Sequence, residues 1–130
     1  MTPGTILVVD DSELVHKMHA LTLRRYAGCR ILHAYNGAEA LELLGVHPDV
    51  DLVLLDVNMP VMDGLSFLNA RREMRVFLDI PVVLISTEAS EADVRRGLEA
   101  GATAYLAKPF KPLELLALID GMTGTRSGPD

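Results

Sequence analysis

The chain has 130 residues, 49% of them hydrophobic, with 12 Lys+Arg against 18 Asp+Glu for a formal charge of −6. That length fits one domain with its own core. The acidic balance excludes a general nucleic-acid binder, which carries a basic face, and the one cysteine, Cys29, excludes an internal disulfide or a thiolate metal cluster. No apolar run reaches the ~18 residues of a membrane span, and Met1-Thr2-Pro3-Gly4 has no basic segment ahead of a signal core. A soluble, cytoplasmic, non-membrane protein is expected. Its apolar residues are mostly aliphatic, with no Trp and 5% aromatic.

Two kinds of segment alternate along the chain. Ile6-Leu7-Val8-Val9 reads as a first strand and is followed by Asp10 and Asp11. Leu14, Met18 and Leu21, at i, i+4 and i+7, predict the core-facing stripe of a helix. Arg30-Ile31-Leu32-His33-Ala34 is a second strand, followed by Tyr35-Asn36-Gly37 and a helix marked by Ala40, Leu41 and Leu44. Leu52 to Leu55 is a third strand that ends on Asp56, then Val57-Asn58-Met59-Pro60 leads to a helix with Leu65 and Leu68. Pro81 to Ile85 precedes Ser86 and Thr87 and a helix with Val94 and Leu98. Ala104 to Ala107 precedes Lys108-Pro109 and a last helix with Leu113, Leu116 and Ile119. Short unbroken apolar runs suit strands buried on both faces. Five β-α repeats therefore predict an α/β domain with a doubly wound parallel sheet. The domain is expected over 1–123, with a flexible, Gly/Thr/Ser/Pro-rich tail over 124–130.

Open parallel sheets bind ligands beyond the carboxyl ends of their strands, and four of five strand ends here carry polar chemistry. Each residue also has a plainer use. Asp11 or Ser12 could cap the first helix, Ser86 or Thr87 could be a loop hydroxyl, and Lys108 before Pro109 could be a solvated turn. Asp56 is harder to explain so, because a carboxylate ending a buried strand is costly unless paired or metal-bound. Converging carboxylates repel one another, and an all-oxygen set without His or Cys suits Mg²⁺ or Mn²⁺ rather than zinc. A carboxylate, a divalent ion and a lysine together are equipment for phosphoryl transfer. Asp56 is the candidate nucleophile, Lys108 the group that neutralises a phosphoryl oxygen, and Ser86 a hydrogen-bond donor to another. His16 and His19, three apart on the first helix, lack a third ligand in register and read, like His33 and His47, as surface or boundary residues.

Val8-Val9-Asp10-Asp11-Ser12, Leu54-Leu55-Asp56-Val57-Asn58-Met59-Pro60-Val61-Met62-Asp63-Gly64, Pro81 to Ser86 and Gly101 to Phe110 together resemble the response-regulator receiver domain of two-component signalling. The resemblance runs from about Thr5 to Met122. It implies a flavodoxin-like (β/α)5 fold with strand order 2-1-3-4-5. It also implies a phosphoacceptor at Asp56, loaded from a histidine kinase or histidine-phosphotransfer protein, and Mg²⁺ held by Asp10, Asp11, Asp56 and the Asn58 carbonyl. Ser86 and Tyr105 become the switch residues, Lys108 contacts the phosphoryl group, and the Lys108–Pro109 bond is cis.

Asn58, two residues after Asp56, and Glu88, two after Ser86, resemble stand-alone chemotaxis-type (CheY-like) receivers, in which these side chains tune dephosphorylation. Thr103-Ala104 before Tyr105, and a last helix without arginine through Met122, depart from the pattern of receivers that dimerise to activate transcription. A monomer is therefore expected. Its length leaves no room for an output domain, so output is expected by direct contact with a downstream protein such as a flagellar motor switch or other motility protein. Receivers of phosphorelays or cell-cycle pathways, and phosphorylation-independent interaction modules, are the alternatives. A haloacid-dehalogenase-like phosphatase would need an Asp where Asn58 stands.

Overall fold

The computed structural model describes residues 3–127, and the side chains of 3–122. Strands and helices alternate as β1 (Thr5–Val9), α1 (Glu13–Leu23), β2 (Arg30–Ala34), α2 (Gly37–Val46), β3 (Leu52–Asp56), α3 (Gly64–Met74), β4 (Val82–Ser86), α4 (Glu91–Glu99), β5 (Ala104–Ala107) and α5 (Pro112–Ser127). All pairings are parallel and the order is β2-β1-β3-β4-β5, as the resemblance implies. Helix α5 continues to Ser127, past the expected boundary at 123; residues 128–130 of the expected tail lie outside the described residues.

The pleat divides the aliphatic strands between two cores. Leu7, Val9, Val53, Leu55, Val82 and Leu84 face one side, packed with Ala40, Leu44, Phe67 and Leu68 from α2 and α3. Ile6, Val8, Leu52, Leu54, Val83 and Ile85 face the other, packed with Leu23, Leu115, Leu116 and Ile119 from α1 and α5. Each fully buried side chain of this size stabilises by roughly 1.5–3 kcal/mol. The central strands β1, β3 and β4 are buried throughout, whereas the edge strands β2 and β5 are partly exposed.

Helix α1 corrects the expected stripe. Leu14, Met18 and Leu21 are 66%, 56% and 64% exposed, while His16 (2%), His19 (5%) and Leu23 are buried. Positions 16, 19 and 23 form a second helical stripe, and polar anchors select it. Ser12 caps the helix by accepting from the Val15 N–H at 3.3 Å, and His16 bonds the Asp10 carbonyl at 2.7 Å. The Tyr26 hydroxyl, just beyond the helix, donates to Asp120 on α5 at 2.7 Å. His16 and His19 are thus core residues, not surface ones. The same correction applies to Leu98 and Leu113, which are exposed, while Gly97, Leu115, Leu116 and Ile119 face inward.

On the other face, buried Arg71 donates to the carbonyls of Phe77, Ile80 and Gly101 at 3.1, 3.0 and 2.8 Å. One guanidinium thereby ties the end of α3 to the segment before β4 and to the α4–β5 turn.

Candidate functional site

The chain leaves β1 toward β2 on one side and β3 on the other, so a crevice opens at the carboxyl ends of β1 and β3. Asp56 is the last residue of β3, and Asp10 and Asp11 directly follow β1. One carboxylate oxygen from each of these three lies within 4.8 Å of the others. Asp10 and Asp56 are buried and Asp11 is exposed. Lys108, arriving from β5, donates to Asp56 Oδ1 at 3.2 Å and to Asp10 Oδ2 at 3.4 Å. Asp10 Oδ1 accepts from the Ser12 N–H at 2.9 Å. Four of the rim positions named from sequence, Asp10, Asp11, Asp56 and Lys108, are therefore brought together at the carboxyl ends of β1, β3 and β5.

Burial pushes the Asp56 carboxyl above the usual carboxylate range and Asp10 pushes it further, with Lys108 opposing. Lys108 is held above its ordinary value: burial lowers it, but Asp10 and Asp56 together outweigh that. The pocket thus concentrates negative charge that one lysine only partly balances. The oxygen-only donor set and its spacing fit a hard divalent ion such as Mg²⁺.

Ser86 ends β4 and is buried. Its Oγ accepts from the Glu88 N–H at 3.0 Å, and its hydroxyl also interacts with the Tyr105 hydroxyl. Lys108 N–H bonds the Ser86 carbonyl at 2.8 Å, and the Lys108–Pro109 peptide is cis. Asn58 Nδ2 donates to Glu88 Oε1 at 3.1 Å, so the two residues singled out by spacing meet across the loops after β3 and β4. The Tyr105 hydroxyl donates to the Glu88 carbonyl. Its ring lies against α4 at Gly97, where an added Cβ would stand 3.0 Å from the ring. Glu88 therefore touches both Asn58 and Tyr105.

The loop after Asp56 is tightly bonded. Gly64 N–H donates to the Val57 carbonyl at 2.8 Å, Gly37 N–H to the Met62 carbonyl at 2.8 Å, and Asp63 caps α3 through the Ser66 N–H at 2.8 Å. Within it Val61 has φ +67° and is 85% exposed. A β-branched residue in the left-handed region is strained by roughly 1–2 kcal/mol. Val61→Asn is expected to raise stability by about 1 kcal/mol, read as a higher urea midpoint with an unchanged slope.

Sequence patterning missed His19, although its position four before Leu23 marks the second stripe. Its ring stacks on Phe110 with centroids 6.1 Å apart. Together with Met18, Lys108 and Pro109 it lines a mainly apolar cavity of about 360 Å³. Burial, then the Lys108 and His16 charges, pushes the His19 imidazole down to about 4. The folded value is below the unfolded one, so its contribution to stability is complete above pH 6.5 and lost as pH falls toward 4. His19→Phe should flatten the stability profile across that window, measured by urea titration at successive pH values.

The family model described as "Response regulator receiver domain" matches residues 6–120. The chain belongs to the response-regulator receiver family and is a receiver domain of two-component signalling. It is similar to the chemotaxis protein CheY homolog of Campylobacter jejuni, 37% identical over 123 residues that cover 95% of each chain. The structure of Vibrio cholerae chemotaxis protein CheY4 superposes with a TM-score of 0.81 at 35% identity, covering 92% of this chain and 98% of that one. Borrelia burgdorferi CheY, in a structure described as a CheX-CheY-BeF3-Mg²⁺ complex, superposes with a TM-score of 0.84 at 30% identity, covering 92% and 89%. Among the described residues, no helix is long and apolar enough to cross a membrane.

Proposed function

We propose that this chain is a phosphoacceptor switch of the CheY type. A histidine kinase or histidine-phosphotransfer protein donates the phosphoryl group. The phosphorus–nitrogen bond of its phosphohistidine breaks as an Asp56 carboxylate oxygen bonds phosphorus, and the imidazole leaves. The observation that carries this reading is the meeting of Asp10, Asp11 and Asp56 within 4.8 Å, with Lys108 bonded to two of them. Asp10, Asp11, Asp56 and the Asn58 carbonyl would hold Mg²⁺ (or Mn²⁺), which when bound neutralises carboxylate and phosphoryl oxygens. Lys108 moves from the ionised pair toward a phosphoryl oxygen, and the Ser86 hydroxyl donates to another.

Once Ser86 turns to the phosphoryl group, its bond to the Glu88 N–H is lost. The β4–α4 loop then shifts, and with it the carbonyl that holds Tyr105. Phosphorylation biases the face formed by α4, β5 and α5 through this contact. Output is read there by a downstream protein, a flagellar motor switch or another motility component, with the receiver acting as a cytoplasmic monomer. The protein is no classical enzyme; it catalyses only its own phosphorylation and dephosphorylation. Asn58 and Glu88 place the water that hydrolyses the acyl phosphate.

Incubation with acetyl phosphate and Mg²⁺ tests this reading. A phosphoprotein should form that hydroxylamine discharges, as it does acyl phosphates, and EDTA should prevent its formation. Asn58→Ala and Glu88→Ala should each slow its decay. A product stable to hydroxylamine, or none at all, contradicts the reading.

A further inference from the structure

Two histidine side chains meet between α1 and β2, on the far side of the Asp10 main chain from the acidic rim's carboxylates. His16 Nδ1 is 2.7 Å from His33 Nδ1, and His16 Nε2 is 2.7 Å from the Asp10 carbonyl oxygen. A carbonyl only accepts, so Nε2 carries a proton, and in the neutral ring Nδ1 then presents its lone pair toward His33. Metal-binding histidines are held in this way, with the far ring N–H on a main-chain carbonyl or carboxylate that fixes tautomer and aim. The Tyr35 ring lies against the His16 ring with centroids 4.3 Å apart, and His16 is buried. This imidazole is therefore oriented before any ligand arrives.

Glu13 precedes His16 by three residues on α1, which puts both on one helix face. Glu-x-x-His at that spacing is a metal-ligating motif of helical proteins. Glu13 Oε1 accepts from the Tyr35 hydroxyl at 2.6 Å, leaving the second carboxylate oxygen for a cation. Glu13, His16, His33 and Tyr35 line an open cavity of about 290 Å³. Lys17 shares its wall and opposes a cation there; the Glu13 carboxylate offsets it.

We propose that His16 and His33, with Glu13 as third ligand, form a second cation site that takes a borderline transition metal, Zn²⁺, in preference to Mg²⁺. Two imidazoles and one carboxylate select zinc, whereas magnesium takes oxygen. Two of the three donors are already adjacent, and two changes admit the ion. The His33 proton moves from Nδ1 to Nε2, a tautomer change that releases no net proton. The two nitrogens must also separate from 2.7 Å to about 3.3 Å, the span of two Zn–N bonds at a tetrahedral angle. His33 stands exposed on the edge strand β2, where its ring has room to turn. Glu13 leaves its present rotamer to join them. A bound ion then clips α1 to β2 beside the Asp10 main chain.

The test adds Zn²⁺ to the full chain labelled with ¹⁵N-histidine, in excess Mg²⁺ to occupy the acidic rim. The Nδ1 resonances of His16 and His33 should move together and saturate at one equivalent, with those of His19 and His47 unmoved, and the melting temperature should rise. His33→Asn, whose amide can still pair with His16 and whose fold is checked by circular dichroism, should abolish the His16 shift and weaken binding roughly tenfold or more. Glu13→Gln should weaken it by a smaller factor with both histidine shifts retained. Zinc that perturbs only Asp10, Asp11 and Asp56, unmoved histidine resonances, or unchanged affinity in His33→Asn would each overturn the proposal.

Discussion

Asp56→Asn is expected to end phosphoryl uptake from every donor and, in the same protein, to raise stability at neutral pH. The loss follows from chemistry, since an amide oxygen does not form the acyl phosphate. The gain follows from burial. Asp56 lies at a strand end where desolvation and then Asp10 raise its affinity for a proton, against Lys108. A carboxyl whose folded pKa exceeds its unfolded one stabilises the fold when protonated, and that contribution is lost as pH rises through the folded value. At pH 7 the ionised group therefore destabilises the protein, and the isosteric amide removes this penalty while Lys108 keeps its bond to Asp10. The urea midpoint of Asp56→Asn should exceed that of wild type at pH 7, and the two should converge in acid. Added Mg²⁺ should narrow the gap at pH 7 by stabilising wild type more.

Gly64→Ala is expected to cost about 3 kcal/mol, at the upper end for overpacking, and to impair the site as well. A Cβ at position 64 would lie 2.5 Å from the Asp56 carbonyl oxygen and 3.0 Å from the Val57 Cα. Both are main-chain atoms, so no side chain can yield. Relief requires the loop after β3 to move away, which breaks the Gly64 N–H bond to Val57 and displaces Asp56 relative to Lys108. Denaturant unfolding should show the lowered midpoint. Acetyl phosphate labelling, normalised to folded protein, should show a slower rate.

Much of this was legible in the chain. Runs such as Leu52 to Leu55 leave no alternative to a buried strand, and in a parallel sheet the residues that follow such strands share one rim. Asp10, Asp11, Asp56, Ser86 and Lys108 could therefore be placed without coordinates, and Asn58 and Glu88 could be singled out by their offsets in a family pattern. Helix faces were less legible. On α1 the stripe Leu14-Met18-Leu21 is the more hydrophobic, yet the stripe with His16 and His19 is buried. Hydropathy scores a hydrogen-bonded histidine as polar, while the Asp10 carbonyl and the His33 ring make the burial of His16 favourable. Those partners are distant in sequence, so no local pattern announces them. The same holds for Arg71, whose three carbonyl acceptors lie six to thirty residues away. It holds too for Val61, whose left-handed backbone is imposed by the loop bonds around it rather than by its own preference.

The exposed stripe on α1 lies beside the cavity lined by Met18, His19, Lys108 and Phe110.

The central claim is that Asp56 itself receives the phosphoryl group. Borohydride reduction of the chain after incubation with acetyl phosphate and Mg²⁺, followed by peptide mass spectrometry, tests it most directly, because reduction converts an aspartyl phosphate to homoserine. The account predicts homoserine at position 56 and at no other carboxylate. Homoserine at Asp10 or Asp11, a phosphoryl group retained on a histidine, or an unmodified chain would contradict it.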